Sequence, residues 1–209
     1  MCSILHCIIT ITIGLQDCLK SGRMLLNKIE IVHIGLHKTG SSFLQKHIFS
    51  KMENVYSHEG LSGAAVVLLD AYCDRELLAN GIKGKYGDVK IILVLRDKED
   101  WLRSCYAQSI KNSNKFFHSF DFWSKHIFKK ELLDFDSYVE LLNSLFSEVL
   151  VLQYEELRDS PETFIQKIFD FTGQEVEWEN EIVNKRHSEI KVQMMRMINL
   201  IKQFVVRKI

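Results

Sequence analysis

Between Ile29 and Phe43 the chain reads IEIVHIGLHKTGSSF. Gly35 and Gly40 bracket a loop holding His37, Lys38 and Thr39, and two hydroxyl residues, Ser41 and Ser42, follow directly. Glycines let the backbone turn tightly, the lysine brings a positive charge, and hydroxyls and amides donate hydrogen bonds. The run before Gly35 (Ile29, Ile31, Val32, Ile34) is apolar and β-branched and reads as a strand, and Ser41 and Ser42 open a helix. A strand, a glycine-bearing loop and a helix N-terminus together make an anion site, because the first helical N–H groups point at the ligand and the helix dipole favours negative charge. The chemistry these residues suit is the holding of a phosphate.

The spacing departs from the common nucleotide triphosphate loop, G-x-x-x-x-G-K-[ST], in which lysine follows the second glycine. Ser41 stands at that position here, and the lysine lies inside the loop as Lys38. A second segment points to the same kind of ligand. Lys90 to Leu95, KIILVL, is a continuous apolar run suited to a strand buried on both faces. It ends in Arg96-Asp97, and Asp97 and Asp100 offer caps for a helix over about Glu99 to Lys111. Arg96 is therefore expected at the carboxyl end of a parallel strand, where open α/β sheets bind ligands. A guanidinium fork suits a terminal phosphate because it donates two parallel bonds.

The segment Gly35-Leu36-His37-Lys38-Thr39-Gly40-Ser41-Ser42-Phe43-Leu44-Gln45 resembles the 5′-phosphosulfate loop of sulfotransferases that use 3′-phosphoadenosine 5′-phosphosulfate (PAPS). It is especially similar to the HKTG-type loop of bacterial and carbohydrate sulfotransferases. The resemblance implies that Lys38 contacts the 5′-phosphosulfate and stabilises the leaving group, with Thr39, Gly40, Ser41 and Ser42 supplying hydrogen bonds. It also implies that Arg96 and Ser104, eight residues apart, grip the 3′-phosphate. Trp101-Leu102-Arg103-Ser104, Tyr106-Ala107-Gln108, Tyr154-Glu155-Glu156-Leu157 and Phe171-Thr172-Gly173 read like the same family. The likeness spans roughly Ile29 to Gly173. It implies a P-loop-like, three-layer α/β/α domain, PAPS as donor, adenosine 3′,5′-bisphosphate as product, no metal, and a hydroxyl acceptor on a carbohydrate or small metabolite.

Sulfuryl transfer to a hydroxyl needs a base for the hydroxyl proton, and, as in phosphoryl transfer, the rest is positioning and charge stabilisation. The candidates are Glu59 and His58 in Tyr56-Ser57-His58-Glu59-Gly60-Leu61-Ser62-Gly63, where the chain returns after the loop helix. Glu59 comes first because the word resembles the S-x-E-x-L-S of similar bacterial sequences; as a plain sequence it also reads as a polar turn. His37, inside the loop, either touches the cofactor or acceptor or hydrogen-bonds the loop backbone.

Three strands stand out, at about 29–34, 90–95 and 149–153, and their alternation with helices implies a parallel sheet with right-handed crossovers. One or two further strands are expected without a clear position. Ser160-Pro161 reads as an N-cap with proline at the first helical position, and Gly173 as that helix's stop. From Ile190 to Val206, Ile190, Met194, Met197, Ile198, Ile201 and Val205 recur at helical spacing, the expected face of a docked terminal helix. In residues 111–130 lysines alternate with aromatics, read mostly as core aromatics with solvated lysines and for a few residues as a wall of the acceptor cleft. Lys185 and Arg186, before the last helix, are loosely placed to close over the cofactor.

A length of 209 residues and a hydrophobic fraction of 46% fit one globular domain. The expected division is a single domain over 24–209 and an N-terminal extension over 1–23, whose apolar ILHCIITITIGL is too short to span a membrane and lacks the flanks of a secretory signal. Five cysteines (Cys2, Cys7, Cys18, Cys73, Cys105) show no metal-ligand spacing and suit a reducing cytoplasm. With 27 basic and 27 acidic residues there is no global electrostatic footprint for nucleic acid. Two other readings accompany the first. One is a nucleotide kinase or NTPase with an altered loop, disfavoured by the missing Gly-Lys-Ser/Thr order. The other is a non-catalytic nucleotide- or glycan-binding relative, which the compact chain after Glu59 leaves room for.

Overall fold

The structure, a computed structural model, describes residues 28–63, 74–112, 116–179 and 188–206. The extension over 1–23 with its boundary at Met24, four of the cysteines, and Lys185 and Arg186 lie outside the described residues.

Four parallel strands form the sheet: β1 (Ile31–Ile34), β2 (Val55–His58), β3 (Lys90–Leu95) and β4 (Val149–Gln153), in the order β2-β1-β3-β4. The helices are α1 (Ser41–His47), α2 (Arg75–Tyr86), α3 (Lys98–Asn112), α4 (Phe120–His126), α5 (Phe135–Leu145), α6 (Tyr154–Asp159), α7 (Pro161–Thr172) and α8 (Glu189–Val206). The three strands read from the sequence are present. The strand without a clear position is β2, in the word that holds the candidate bases and also reads as a polar turn; the 3₁₀ turn Glu59–Ser62 follows it. Its four residues are only half-buried, and an edge strand carrying Tyr56, Ser57 and His58 lacks the apolar run that marks β1 and β3.

Pleating sends alternate side chains to opposite layers. Val32 and Ile34 of β1 join Ile91, Leu93 and Leu95 of β3 in one core, against Ala79, Ile82, Trp101, Cys105, Tyr138 and Leu142 from α2, α3 and α5. Ile31, Ile92 and Val94 face the other layer, with Phe43 and Leu44 of α1 and Phe164, Ile165 and Ile168 of α7. The result is the expected three-layer α/β/α arrangement. No described helix is long and apolar enough to cross a membrane.

Local signals mostly hold. Asp97 caps α3 by accepting from the Asp100 amide at 2.9 Å. Gly173 ends α7 in the left-handed conformation, φ 70°. Ser160 precedes Pro161 as expected, yet its side chain makes no capping bond. The terminal helix α8 docks with the face opposite to the one expected. Val192 and Asn199 are buried, and Asn199 Nδ2 donates to the carbonyls of Ile110 (2.9 Å) and Phe116 (3.0 Å). Among the described residues the stripe Ile190, Met194, Met197, Ile198 and Ile201 is exposed, Ile190 at 75%. Apolar counting chose that stripe because the docked face is anchored by a polar residue satisfying open carbonyls.

Candidate active site

The chain leaves β1 to form β2 on one side and then crosses back to form β3 on the other. The carboxyl ends of β1 and β3 therefore flank a topological switch point, where a crevice opens in such sheets. The loop from Gly35 to Gly40 leaves β1 there, Glu59 follows β2, and Arg96 follows β3.

The loop is held from within. Thr39 Oγ1 and Ser41 Oγ both donate to the Leu36 carbonyl, at 2.7 and 2.9 Å, so these two hydroxyl protons point into the loop. Ser42, half-buried, is the second residue of α1, where helical N–H groups have no intrahelical partner. Gly40 sits at φ 79°, and a Cβ there would lie 2.6 Å from Leu157 Cδ2. Gly35 lies where backbones meet: a Cβ on it would stand 3.0 Å from Ser41 Oγ and 3.1 Å from Glu59 Cα. Lys38 itself has φ 67°, a left-handed conformation that non-glycine residues adopt rarely and that concentrates at functional sites.

Lys38 Nζ donates to Gln108 Oε1 at 3.2 Å, and Gln108 Nε2 donates to Asn112 Oδ1 at 2.6 Å, which ties the loop to α3. Burial holds the Lys38 ammonium below the ordinary lysine range; the cations Lys111 and Arg96 add to this and Glu59 opposes it. Arg96 is buried, Nη1 donating to the Lys38 carbonyl at 2.9 Å and Nη2 lying 3.7 Å from Asp100 Oδ2. Its guanidinium carbon stands 4.6 Å from the centre of the Tyr154 ring. Arg96 Nε is buried without a hydrogen-bond partner. Ser104 is half-buried in the second turn of α3.

His37 Nδ1 lies 2.9 Å from Glu59 Oε2, the two side chains being 23% and 31% exposed. The hydrogen bond from His37 holds the Glu59 carboxyl below its ordinary value, against the opposing effect of its burial. The His37 carbonyl accepts from Trp101 Nε1 at 2.7 Å. His58 Nδ1 accepts from the Gly60 amide at 3.0 Å, capping the 3₁₀ turn that begins at Glu59. That turn is clamped by the buried Arg75, whose Nε donates to the Ser62 carbonyl at 3.1 Å and Nη2 to the Leu132 carbonyl at 3.0 Å.

The structure thus brings Lys38, His37, Glu59 and Arg96 into one cluster. His58 turns to its own loop. Nothing in the sequence assigns a role to Gln108 or Trp101, the residues that hold Lys38 and His37. The available signal was helical spacing: Gln108 falls one turn after Ser104 on α3. Among the described residues no three His, Cys, Asp or Glu side chains gather as a metal-ligating group. Cys105, buried under the site, is a free thiol whose burial pushes its acidity far down.

A family model described as a sulfotransferase domain matches residues 82–204. Arg96 and Ser104 lie inside that stretch, and the Lys38 loop and Glu59 precede it. None of the curated proteins compared with the chain matches it. The crystal structure of a sulfotransferase from Alicyclobacillus acidocaldarius superposes with a TM-score of 0.54 at 12% identity, covering 85% of this chain and 95% of that one. At that identity the likeness is one of fold.

Proposed function

Because the chain belongs to the sulfotransferase domain family, we propose that it transfers a sulfuryl group from PAPS to the hydroxyl of a carbohydrate or small metabolite. The observation that carries the reading is the bond from Arg96 Nη1 to the Lys38 carbonyl. It joins the two segments whose residue types suit a phosphate, 58 residues apart, at the switch point of the sheet.

The donor set suits a nucleoside bisphosphate. Lys38 supplies a partly desolvated ammonium and Arg96 a buried guanidinium with an unpartnered Nε, charges that gain strength where water is excluded. PAPS, when bound, supplies the sulfuryl group, which passes in line to the acceptor oxygen. Lys38 would hold the 5′-phosphate end and stabilise its growing negative charge. Arg96 and Ser104 would hold the 3′-phosphate, and the backbone of the loop through Thr39, Gly40, Ser41 and Ser42 would cradle the sulfate. Thr39 and Ser41 serve this by fixing the loop through Leu36. The acceptor's proton leaves through the Glu59 cluster. We assign all of this to one domain over 24–209 acting in the cytoplasm.

The test is transfer from PAPS to a panel of hydroxyl acceptors, wild type beside Glu59→Gln. Glu59→Gln is expected to lower turnover by at least about 100-fold while leaving adenosine 3′,5′-bisphosphate affinity within about threefold. Full turnover in the variant would remove Glu59 from the reaction.

A further inference from the structure

We propose that His37 is the residue that takes the proton of the acceptor hydroxyl, through Nε2, and that Glu59 acts by holding the imidazole at Nδ1. The proposal rests on the sulfuryl-transfer reading above and names the group that performs its proton step.

The contact between His37 Nδ1 and Glu59 Oε2, at 2.9 Å, sets an Nδ1–H against the carboxylate, so that a neutral imidazole there carries its lone pair on Nε2. The residue is held at two points. Glu59 fixes its edge, and the buried Trp101 fixes its backbone by donating to the His37 carbonyl at 2.7 Å. Glu59 is in turn fixed by its surroundings, because Gly35 lets its backbone approach the loop and Ser62 Oγ donates to its carbonyl at 3.2 Å. A base oriented by a carboxylate that is itself immobilised follows the logic of the serine hydrolase triad.

The two alternatives serve less well. His58 Nδ1 is occupied by the Gly60 amide. Glu59 already accepts a hydrogen bond from His37, which holds its carboxyl low and makes it a weaker proton acceptor. Imidazole is the side chain whose ordinary titration lies nearest neutral pH. His37 also adjoins Lys38, so one loop would present both the base and the cation that stabilises the leaving group.

The step balances. The acceptor oxygen bonds to sulfur as its O–H bond breaks and the proton passes to Nε2. The sulfur–oxygen bond to the donor's phosphate breaks, its electron pair leaving on that phosphate. His37 becomes an imidazolium paired with the Glu59 carboxylate and afterwards returns the proton to water.

The experiment has three readouts on the full chain: nitrogen-15 NMR of the histidine side chains, calorimetric binding of adenosine 3′,5′-bisphosphate, and turnover of PAPS with a phenol, a hexose and an amino sugar. His37→Gln identifies the His37 signal by its loss. Neutral wild type should show the Nδ1–H tautomer at His37, and Glu59→Ala should move it to Nε2–H. His37→Gln should bind the bisphosphate within about threefold of wild type and lose at least about 100-fold in kcat. An Nε2–H tautomer in the wild type, or His37→Gln turning over within about threefold of wild type, overturns the proposal. So does an absence of turnover on every acceptor, since no proton is then taken. A wild type that fails to bind the bisphosphate overturns the sulfotransferase-site reading itself, and this proposal with it. Binding intact with His37→Gln fully active overturns the base assignment alone.

Discussion

Lys38 combines a left-handed backbone, a half-buried ammonium and a side-chain hydrogen bond to Gln108. The first two are costs in the unliganded protein, and an anion in the loop would offset the second. The sign of the resulting pH effect is fixed. Burial lowers the pKa of the free protein's lysine, and a bound polyanion favours its charged form. Affinity for adenosine 3′,5′-bisphosphate should therefore be constant while Lys38 is protonated in the free protein and fall as pH rises through its lowered value. In Lys38→Arg that alkaline fall should disappear, because a guanidinium does not titrate in this range. Calorimetry from neutral to alkaline pH checks this; identical profiles for the two proteins would mean that Lys38 does not meet the anion. At this scale the sequence was informative about single residues and poor about pairs. Gly35, Lys38 and Arg96 were legible because glycines, a loop lysine and a strand-end arginine have few other reasons to fall at those places. The His37–Glu59 pair was not, because it depends on the register Ile34↔His58 between β1 and a strand that the sequence did not mark.

Strand β1 carries a histidine through the middle of the sheet. His33 is fully buried, its Nδ1 lies 2.7 Å from Ser57 Oγ on β2, and its ring is 4.6 Å from that of Phe49. Burial lowers its pKa to about 3, the Glu59 charge opposing. The folded value is thus below the unfolded one, so below about pH 6.5 the unfolded chain takes a proton that the native protein refuses. Stability should fall through this group from about pH 6.5 towards pH 3, by at most about 1.4 kcal/mol per pH unit. Denaturant unfolding of wild type and His33→Leu should diverge by about 2 kcal/mol between pH 7.5 and 5, the variant being the less pH-sensitive. Parallel curves would show that His33 is protonated in the fold. Legibility at this scale followed apolarity. β1, β3 and β4 announced themselves as apolar runs, and α3 and α7 through Asp97, Pro161 and Gly173. β2 and the docked face of α8 did not, because both rest on polar residues, Ser57 and Asn199, satisfied by partners distant in sequence.

The molecule as a whole places its candidate chemistry where an open parallel sheet reverses strand order. Three words of sequence, the loop at 35–42, the turn at 58–62 and the strand end at 96–104, converge there. The sheet order β2-β1-β3 sets them side by side; Arg96, Trp101 and Gln108 bond to the loop from the β3 side, and His37 joins the loop to the turn through Glu59. This junction is expected to hold a nucleoside bisphosphate through Lys38 and Arg96 without a metal. Calorimetric titration of the full chain with adenosine 3′,5′-bisphosphate in EDTA, beside ATP with and without Mg²⁺, is the measurement to make. The bisphosphate should bind without metal, at least about tenfold more weakly in Lys38→Ala and in Arg96→Ala, as expected for the loss of a charge-assisted hydrogen bond. Binding of Mg-ATP with no response to the bisphosphate would contradict it.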